Sequence, residues 1–402
     1  MFKPKYPLHL PNALFLTLSP LAAIAGAFYY IPRFGVSPWE IAAFVGMFFA
    51  TGLSITAGYH RHFAHVSYKA HPLLRFFYLV FGACAMQNSA LNWASDHRLH
   101  HRYTDTDADP YNAGKGFWHS HMGWIFYQSR AKKQLTNVGD LLRDRWVRWQ
   151  HRNAVAIALV VGFGGPVLLG MYTGRVFGMI LWAGLIRVVF VHHATFFINS
   201  LAHMWGRQPY SRRDTSRDSW WLALLTNGEG YHNFHHMFPS DYRNGIRWFQ
   251  WDPTKWFIRS LNFSGMTYKL HRVPPQLILR ARMEVEALVA EKRLQEMPHA
   301  ALELVEARHA ALFVLVVLAL VYDVGLPVLA AALNNGDASD ELVHELPPLR
   351  RLRKLSAVGP LAASRGLDRT EISLLRPLVI QTARVAKATV SLQCKPTQEF
   401  SL

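Results

Sequence analysis

Four long apolar runs set the pattern of this chain. Leu14 to Ile31, Ile41 to Tyr59 and Ala154 to Gly174 contain no charged residue. Val176 to Ser200 is equally apolar apart from Arg187 and the pair His192–His193. Runs of about 18 or more apolar residues are long enough to cross a bilayer as helices, so the pattern predicts four membrane spans. A fifth stretch, Leu73 to Leu91, is interrupted by Arg75, Gln87 and Asn88. It predicts an amphipathic or buried helix lying beside the bilayer, with a re-entrant segment as the competing reading. The first run lacks a small-residue cleavage site and is expected to stay as a span rather than leave as a signal peptide.

Composition agrees: 51% of the 402 residues are hydrophobic and 13% aromatic, which excludes a string of ordinary soluble domains. Charge then orients the spans. Pro32 to Glu40, between the first two runs, holds one basic residue, Arg33, whereas Gly58 to Asn153 holds thirteen Lys or Arg. The positive-inside bias places that basic segment, and both ends of the four-span core, in the cytoplasm. The net charge of +17 is then mostly cytoplasmic surface, suited to anionic lipid. Its basic residues lie among the spans, which argues against nucleic-acid binding. Two cysteines, Cys84 and Cys394, imply no disulfide framework.

Histidines supply the chemistry. DHRLHH carries His97, His100 and His101, and HNFHH repeats the spacing at His232, His235 and His236. HRHFAH, with His60 and His65, begins where the second run ends, and NSLAH, with His203, where the fourth ends. All four clusters fall on one side of the membrane, close to its surface. Residues i, i+3 and i+4 share a helix face, so each HxxHH is expected to present three imidazoles together. His60 and His65 are five apart and converge only if the helix end loosens or a metal lies between them. Nine converging imidazoles predict a metal site, with iron, zinc and copper as candidates. The ligand count favours two redox metals over a zinc site, which needs three or four ligands. His62 is expected to point away. His9, His71, His119, His121 and His151 read as surface or packing residues, and His192 and His193 as hydrogen-bonding inside the bundle. Asp96, Asp105, Asp107, Asp109 and Glu229 lie close enough to orient the imidazoles, although loop acids also cap helices.

HRHFAH, DHRLHHRYTDTDADPYN, NSLAHMWG and GEGYHNFHH resemble the histidine boxes and extra Asn/His motif of the membrane acyl-CoA desaturases of the stearoyl-CoA type. The likeness runs from about Leu14 to His271. It implies an all-α integral membrane protein: four transmembrane helices and a cytoplasmic helical cap holding a histidine-rich di-iron site. The activity implied is oxygen-dependent insertion of a cis double bond at the delta-9 position of a long-chain saturated acyl thioester. By match, the ligands of two iron ions (Fe2+) are His60, His65, His97, His100, His101, His203, His232, His235 and His236. Asn199 would hold a metal-bound water, and O2 is the co-substrate. Gln87, Trp93 and Thr195 match residues that bend the acyl tunnel, although Trp93 also suits an interfacial anchor. Arg130, Lys132 and Lys133 match a basic cluster for CoA, and equally suit lipid phosphates. Counting helical turns back from His60 puts Gly52 and Phe48 about 12 to 18 Å deeper. Phe48 is expected to floor the tunnel, as a bulky residue does in the family.

The acyl carrier is left open between CoA, carrier protein and phospholipid. No HPGG-like haem motif occurs, so a separate electron donor is expected: cytochrome b5, ferredoxin or rubredoxin with its reductase. A fatty-acyl hydroxylase on the same scaffold is the nearest alternative, and a membrane metal carrier the alternative of a different class. The expected organisation is a membrane desaturase domain over residues 1–275 and a C-terminal extension over 276–402, with no chemistry assigned to it. Within the extension, Leu277 to Glu296 is helical in pattern. Ala310 to Leu333 reads as a hairpin, an amphipathic segment or poorly ordered chain, because as a fifth span it would export the basic run from Arg350 to Lys354.

Overall fold

A computed structural model describes residues 7–127 and 135–296 of the chain. Arg130, Lys132 and Lys133, and everything expected of residues 297–402, lie outside the described residues. The chain divides into two units at Val285/Glu286, and all that follows concerns the first.

The structure is helical, and among the described residues four helices are long and apolar enough to cross a bilayer: Leu10–Phe34, Pro38–Ala64, Arg145–Thr173 and Val176–Met204. Their outer faces stay apolar and exposed, with Phe28, Val160 and Leu168 each more than two-thirds accessible, as lipid-facing positions require. The chain is an integral membrane protein. The third span begins nine residues before its apolar run, because Arg145 to Asn153 forms polar first turns capped by Asp144, whose carboxylate accepts from Trp146 N and Val147 N.

The end of the spans away from the histidines is fixed by chain chemistry. Ser37, Pro38 and Glu40 start the second span with a capping box. The fully buried Glu40 carboxylate also accepts from Tyr30 of the first span and from Arg175, which precedes the fourth. Gly178 packs against this trio, where any Cβ would collide with Glu40 and Tyr30. Three spans are thereby tied at one buried carboxylate.

The fifth apolar stretch is two elements. A helix covers Pro72–Cys84, too short to cross a bilayer, and a new one starts at Ala90. Met86 and Asn88 between them have positive φ (55° and 77°), which no helix continues. Arg187 of the fourth span, fully buried, donates to Cys84 O, Gly162 O and Ala183 O. It thus satisfies the carbonyl at the short helix's C-terminus, joining that helix to the third and fourth spans.

Near the histidines, the second span changes pitch. Ser54–Ala64 is a π-helix, and His65 N donates to His60 O at 3.1 Å. Beyond it, Lys69–Ala70 pairs antiparallel with Thr267–Tyr268, tying the end of this span to the cap. Tyr59, Phe63, Tyr68, Tyr78 and Leu79 fill the core at this end.

Candidate metal centre

Four local structures deliver the nine histidines. The π-turn sets His60 and His65 on one side of the second span, the loosening that their five-residue spacing demands. The helix Ala90–Tyr103 carries His97, His100 and His101. The fourth span breaks at Ser200, and its last turn, Leu201–Met204, carries His203. The short helix His232–Met237 carries the remaining three. Its N-terminus is held by the Asp218 carboxylate, which accepts from Asn233 N and Phe234 N.

These residues gather into two groups. One holds His60, His65, His97, His101 and His235; the other holds His100, His203, His232 and His236. Within each group the nearest ring nitrogens all lie within 4.8 Å of one another. Each HxxHH therefore does not present three imidazoles to one point. Its i, i+4 pair enters one group and the middle histidine crosses to the other: His97 and His101 against His100, and His232 and His236 against His235. Across an i, i+3, i+4 face the side chains fan over about 100°, wide enough to serve two centres side by side.

Ring orientation shows what the groups suit. Glu229 Oε2 lies 2.9 Å from His60 Nδ1, and Asp109 lies 3.0 Å from His100 Nδ1. These carboxylates accept the Nδ1 protons and leave the Nε2 lone pairs directed inward. There the His60 and His235 Nε2 atoms approach to 2.9 Å, those of His235 and His101 to 2.9 Å, and those of His232 and His203 to 3.1 Å. The buried Nδ1 atoms of His232 and His235 have no protein partner. Burial, and then the neighbouring imidazoles, holds His65, His97, His101, His232, His235 and His236 well below the ordinary histidine pKa. Neutral imidazoles with converging lone pairs repel one another unless a cation lies among them. The donor set therefore fits a pair of metal ions.

The expected orienting acids separate into distinct roles. Glu229 also binds Arg61, whose guanidinium reaches Asp252 as well. Burial would raise the Glu229 carboxyl, but Arg61 and then His60 outweigh it and hold it at about 2. Asp105 accepts from Thr215 N and Thr215 Oγ1, and that hydroxyl lies 2.9 Å from His203 Nδ1. Asp96 borders a cavity, and Asp107 is exposed and pairs with Lys115. Three orienting residues carried no signal of that role in the sequence. Tyr111 stacks on His100 and places its hydroxyl 3.2 Å from His97 Nδ1. Asp214 lies 3.6 Å from His236 Nδ1, and Thr215 serves His203. Tyr111 at least sits inside DADPYN, whereas Asp214 and Thr215 come from a polar loop that only folding brings near.

The other histidines among the described residues fall outside both groups. His62 Nδ1 faces Tyr68 O, and His192 Nε2 faces Ala85 O. His121 bridges His193 and Ser200, His151 meets Ser89, and His9 and His71 cap helices.

Three cavities with shared lining residues lie beside the centre. One of about 280 Å³ is bordered by Gln87, Trp93, Asn199 and the first span, and one of about 20 Å³ lies beside His60, His97, His100 and His232. A third, of about 10 Å³, is walled by Phe48 and Gly52. Thr195 borders all three, and Gln87 Nε2 donates to its hydroxyl at 2.9 Å. Trp93 stacks on His97. Gln87, Trp93, Thr195, Phe48 and Gly52 each line at least one of these cavities.

A fatty acid desaturase family profile matches residues 37–268. Acyl-CoA desaturase 1 of Saccharomyces cerevisiae is 43% identical over 66% of this chain and 53% of its own length. A protein of Schizosaccharomyces pombe named "Probable acyl-CoA desaturase" is 45% identical over 60% of this chain and 51% of its own length. Stearoyl-CoA desaturase 5 of Bos taurus is 35% identical over 66% of this chain and 81% of its own length. The chain spans about half the length of the two yeast relatives.

Proposed function

From the premise that this chain belongs to the fatty acid desaturase family, we propose that it is an oxygen-dependent acyl-CoA desaturase inserting a cis double bond at delta-9 of a long saturated chain. The observation that carries this reading is a row of cavities sharing Thr195 in their walls, one of them set directly against two groups of inward-facing imidazoles. His60, His65, His97, His101 and His235 would hold one iron, and His100, His203, His232 and His236 the other. Bound there, such a pair supplies dioxygen activation, the chemistry needed to take hydrogen from an unactivated methylene that no side-chain base can deprotonate. The balance is one saturated bond and O2, with two electrons and two protons from outside, giving one cis alkene and two waters.

The chain's own groups do the positioning. Gln87 and Thr195 pin the bend, and Trp93 closes the face of His97, so that one C–C bond of the substrate stops beside both groups. Asn199, bordering the channel beside His100 and His232, is placed to hold a water. The CoA of the relatives' names supports a thioester head, and Arg130, Lys132 and Lys133 would meet its phosphates. A separate one-electron carrier, of the cytochrome b5, ferredoxin or rubredoxin kind, would dock on the basic face, which the positive-inside bias makes cytoplasmic.

The test is expression with an electron-supply system in a host whose fatty acids lack the product, followed by lipid profiling. A new cis double bond supports the reading, while a hydroxylated chain moves the assignment to a hydroxylase. Chain length gives a second check. Removing bulk with Phe48→Ala should lengthen the accepted acyl chain. Gly52→Phe should shorten it, because overfilling a packed apolar slot costs roughly 1–3 kcal/mol. Neither should move the double bond, whose place is set by the distance from head group to metals. Unchanged length preference in both variants would remove Phe48 and Gly52 from the channel floor.

A further inference from the structure

The deep end of the channel is polar at one point, and that point has no partner. Asn227 borders the last pocket with Phe48, Gly52, Ile55 and Ile198, and is only 7% exposed. The hydroxyls on the same wall are satisfied: Thr56 Oγ1 meets Thr254 Oγ1 at 2.7 Å, and Thr226 donates to Leu222 O. Among the described residues nothing hydrogen-bonds to the Asn227 carboxamide. A Cβ on Gly52 would come within 2.8 Å of its Nδ2, so the amide fills the space that the missing side chain leaves.

The amide is also held in place. Asn227 has φ +52° and Gly228 φ +97°, a left-handed turn that asparagine tolerates better than most residues. Thr254 Oγ1 donates to the Asn227 carbonyl at 2.8 Å and fixes the turn. Irregular backbone this close to a spanning helix is tolerated where it lines a cavity.

We propose that Asn227 determines the length of acyl chain accepted, by polarity as well as by volume. This rests on reading the channel as an acyl channel. A chain end that reaches the carboxamide strips its remaining solvation and returns no hydrogen bond, so the last methylenes are disfavoured. Phe48 and Gly52 shape the slot, and Asn227 makes its end unwelcoming to hydrocarbon.

Two near-isosteric substitutions in the full-length, membrane-embedded protein separate polarity from bulk. Asn227→Leu keeps the branching and the number of side-chain heavy atoms and replaces the amide with methyl groups. Asn227→Asp keeps the volume and the tolerance for the left-handed turn while making the end more polar. Affinity for saturated acyl thioesters of graded length, read from protection against thermal unfolding, is compared with the product profile. Asn227→Leu should shift the optimum to longer chains, gaining about fourfold in affinity for each extra methylene buried. Asn227→Asp should shift it to shorter ones, so the idea survives on this variant if the leucine protein does not fold. Profiles that coincide with the parent in Asn227→Asp, and in any folded Asn227→Leu, reduce Asn227 to a passive wall and overturn the proposal. A parent protein that binds no acyl thioester of any length would instead bring down the acyl reading itself.

Discussion

His100→Ala and His235→Ala should each abolish turnover, and each should empty a different half of the proposed metal centre. His235 belongs to the five-histidine group and His100 to the four-histidine group, although each sits in a box whose other members serve the opposite group. Purified protein should hold two metal ions, one per group. Loss should fall on the first group in His235→Ala and on the second in His100→Ala. Turnover disappears in both because the reaction needs the pair. Metal analysis with spectroscopy of each group is the measurement, and zinc acquired during overexpression still counts as occupancy, since it competes well for nitrogen ligands. His62→Ala is the control, its imidazole being turned to Tyr68 O outside both groups, and it should keep both metals. Undiminished metal content in both cluster variants would contradict the ligand assignment.

Glu229→Gln should weaken both the centre and the fold. The carboxylate is 1% exposed and serves three partners, His60 Nδ1 at 2.9 Å, Arg61 at 2.8 Å and Asn244 Nδ2, which donates to it at 2.6 Å. A carboxamide of the same shape no longer fixes the His60 tautomer by charge, so the five-histidine group should bind metal about 10–100-fold more weakly. It also leaves Arg61 with Asp252 as its remaining acid. Uncovering a buried charge costs about 3–5 kcal/mol, and the low end applies here because Asp252 stays. Resistance to graded chelator reports the first effect and denaturation of the metal-free protein the second. Asp107→Asn should alter neither, since its side chain is 96% exposed. Chelator resistance equal to the parent would show that Glu229 does not orient His60.

The spans and the identity of the clustered histidines were legible because each has a local signal: an unbroken apolar run, or a spacing that packing has no reason to produce twice. What local spacing hides is which centre each ring serves. HxxHH reads as one face, and only the arrangement of four elements around it shows that the face straddles two sites. The orienting residues split the same way. Asp109 and Glu229 stand a few positions from the rings they serve. Asp214 and Thr215 reach His236 and His203 from a loop whose path depends on the whole cap. The break after Cys84 was misread for a related reason. An apolar stretch with three polar residues looks like one amphipathic helix, and the positive φ angles of Met86 and Asn88 that split it carry no local signal. At that break His192 meets Ala85 O and Met86 O, and Gln87 Nε2 reaches Val191 O and Thr195 Oγ1, contacts with the fourth span that only folding brings about. Asn227 carried no sign at all, since an asparagine before glycine reads as an ordinary turn.

The wide turn at Ser54–Ala64 makes the first histidine box a matter of counting rather than of composition. Along an α-helix each residue adds about 100°, so His60 and His65 would point about 140° apart. Here the slacker winding brings both into one group. Arg61, His62, Phe63 and Ala64 between them could vary widely in kind and still deliver both rings, provided their own contacts are met. A residue gained in that interval could not be absorbed, because the turn has already taken up one surplus residue, whereas one lost would return the pair to the i, i+4 spacing that an ordinary helix brings together at His97 and His101. Insertions, tolerated in most surface segments of a protein, are therefore a class of change that this short stretch of span excludes.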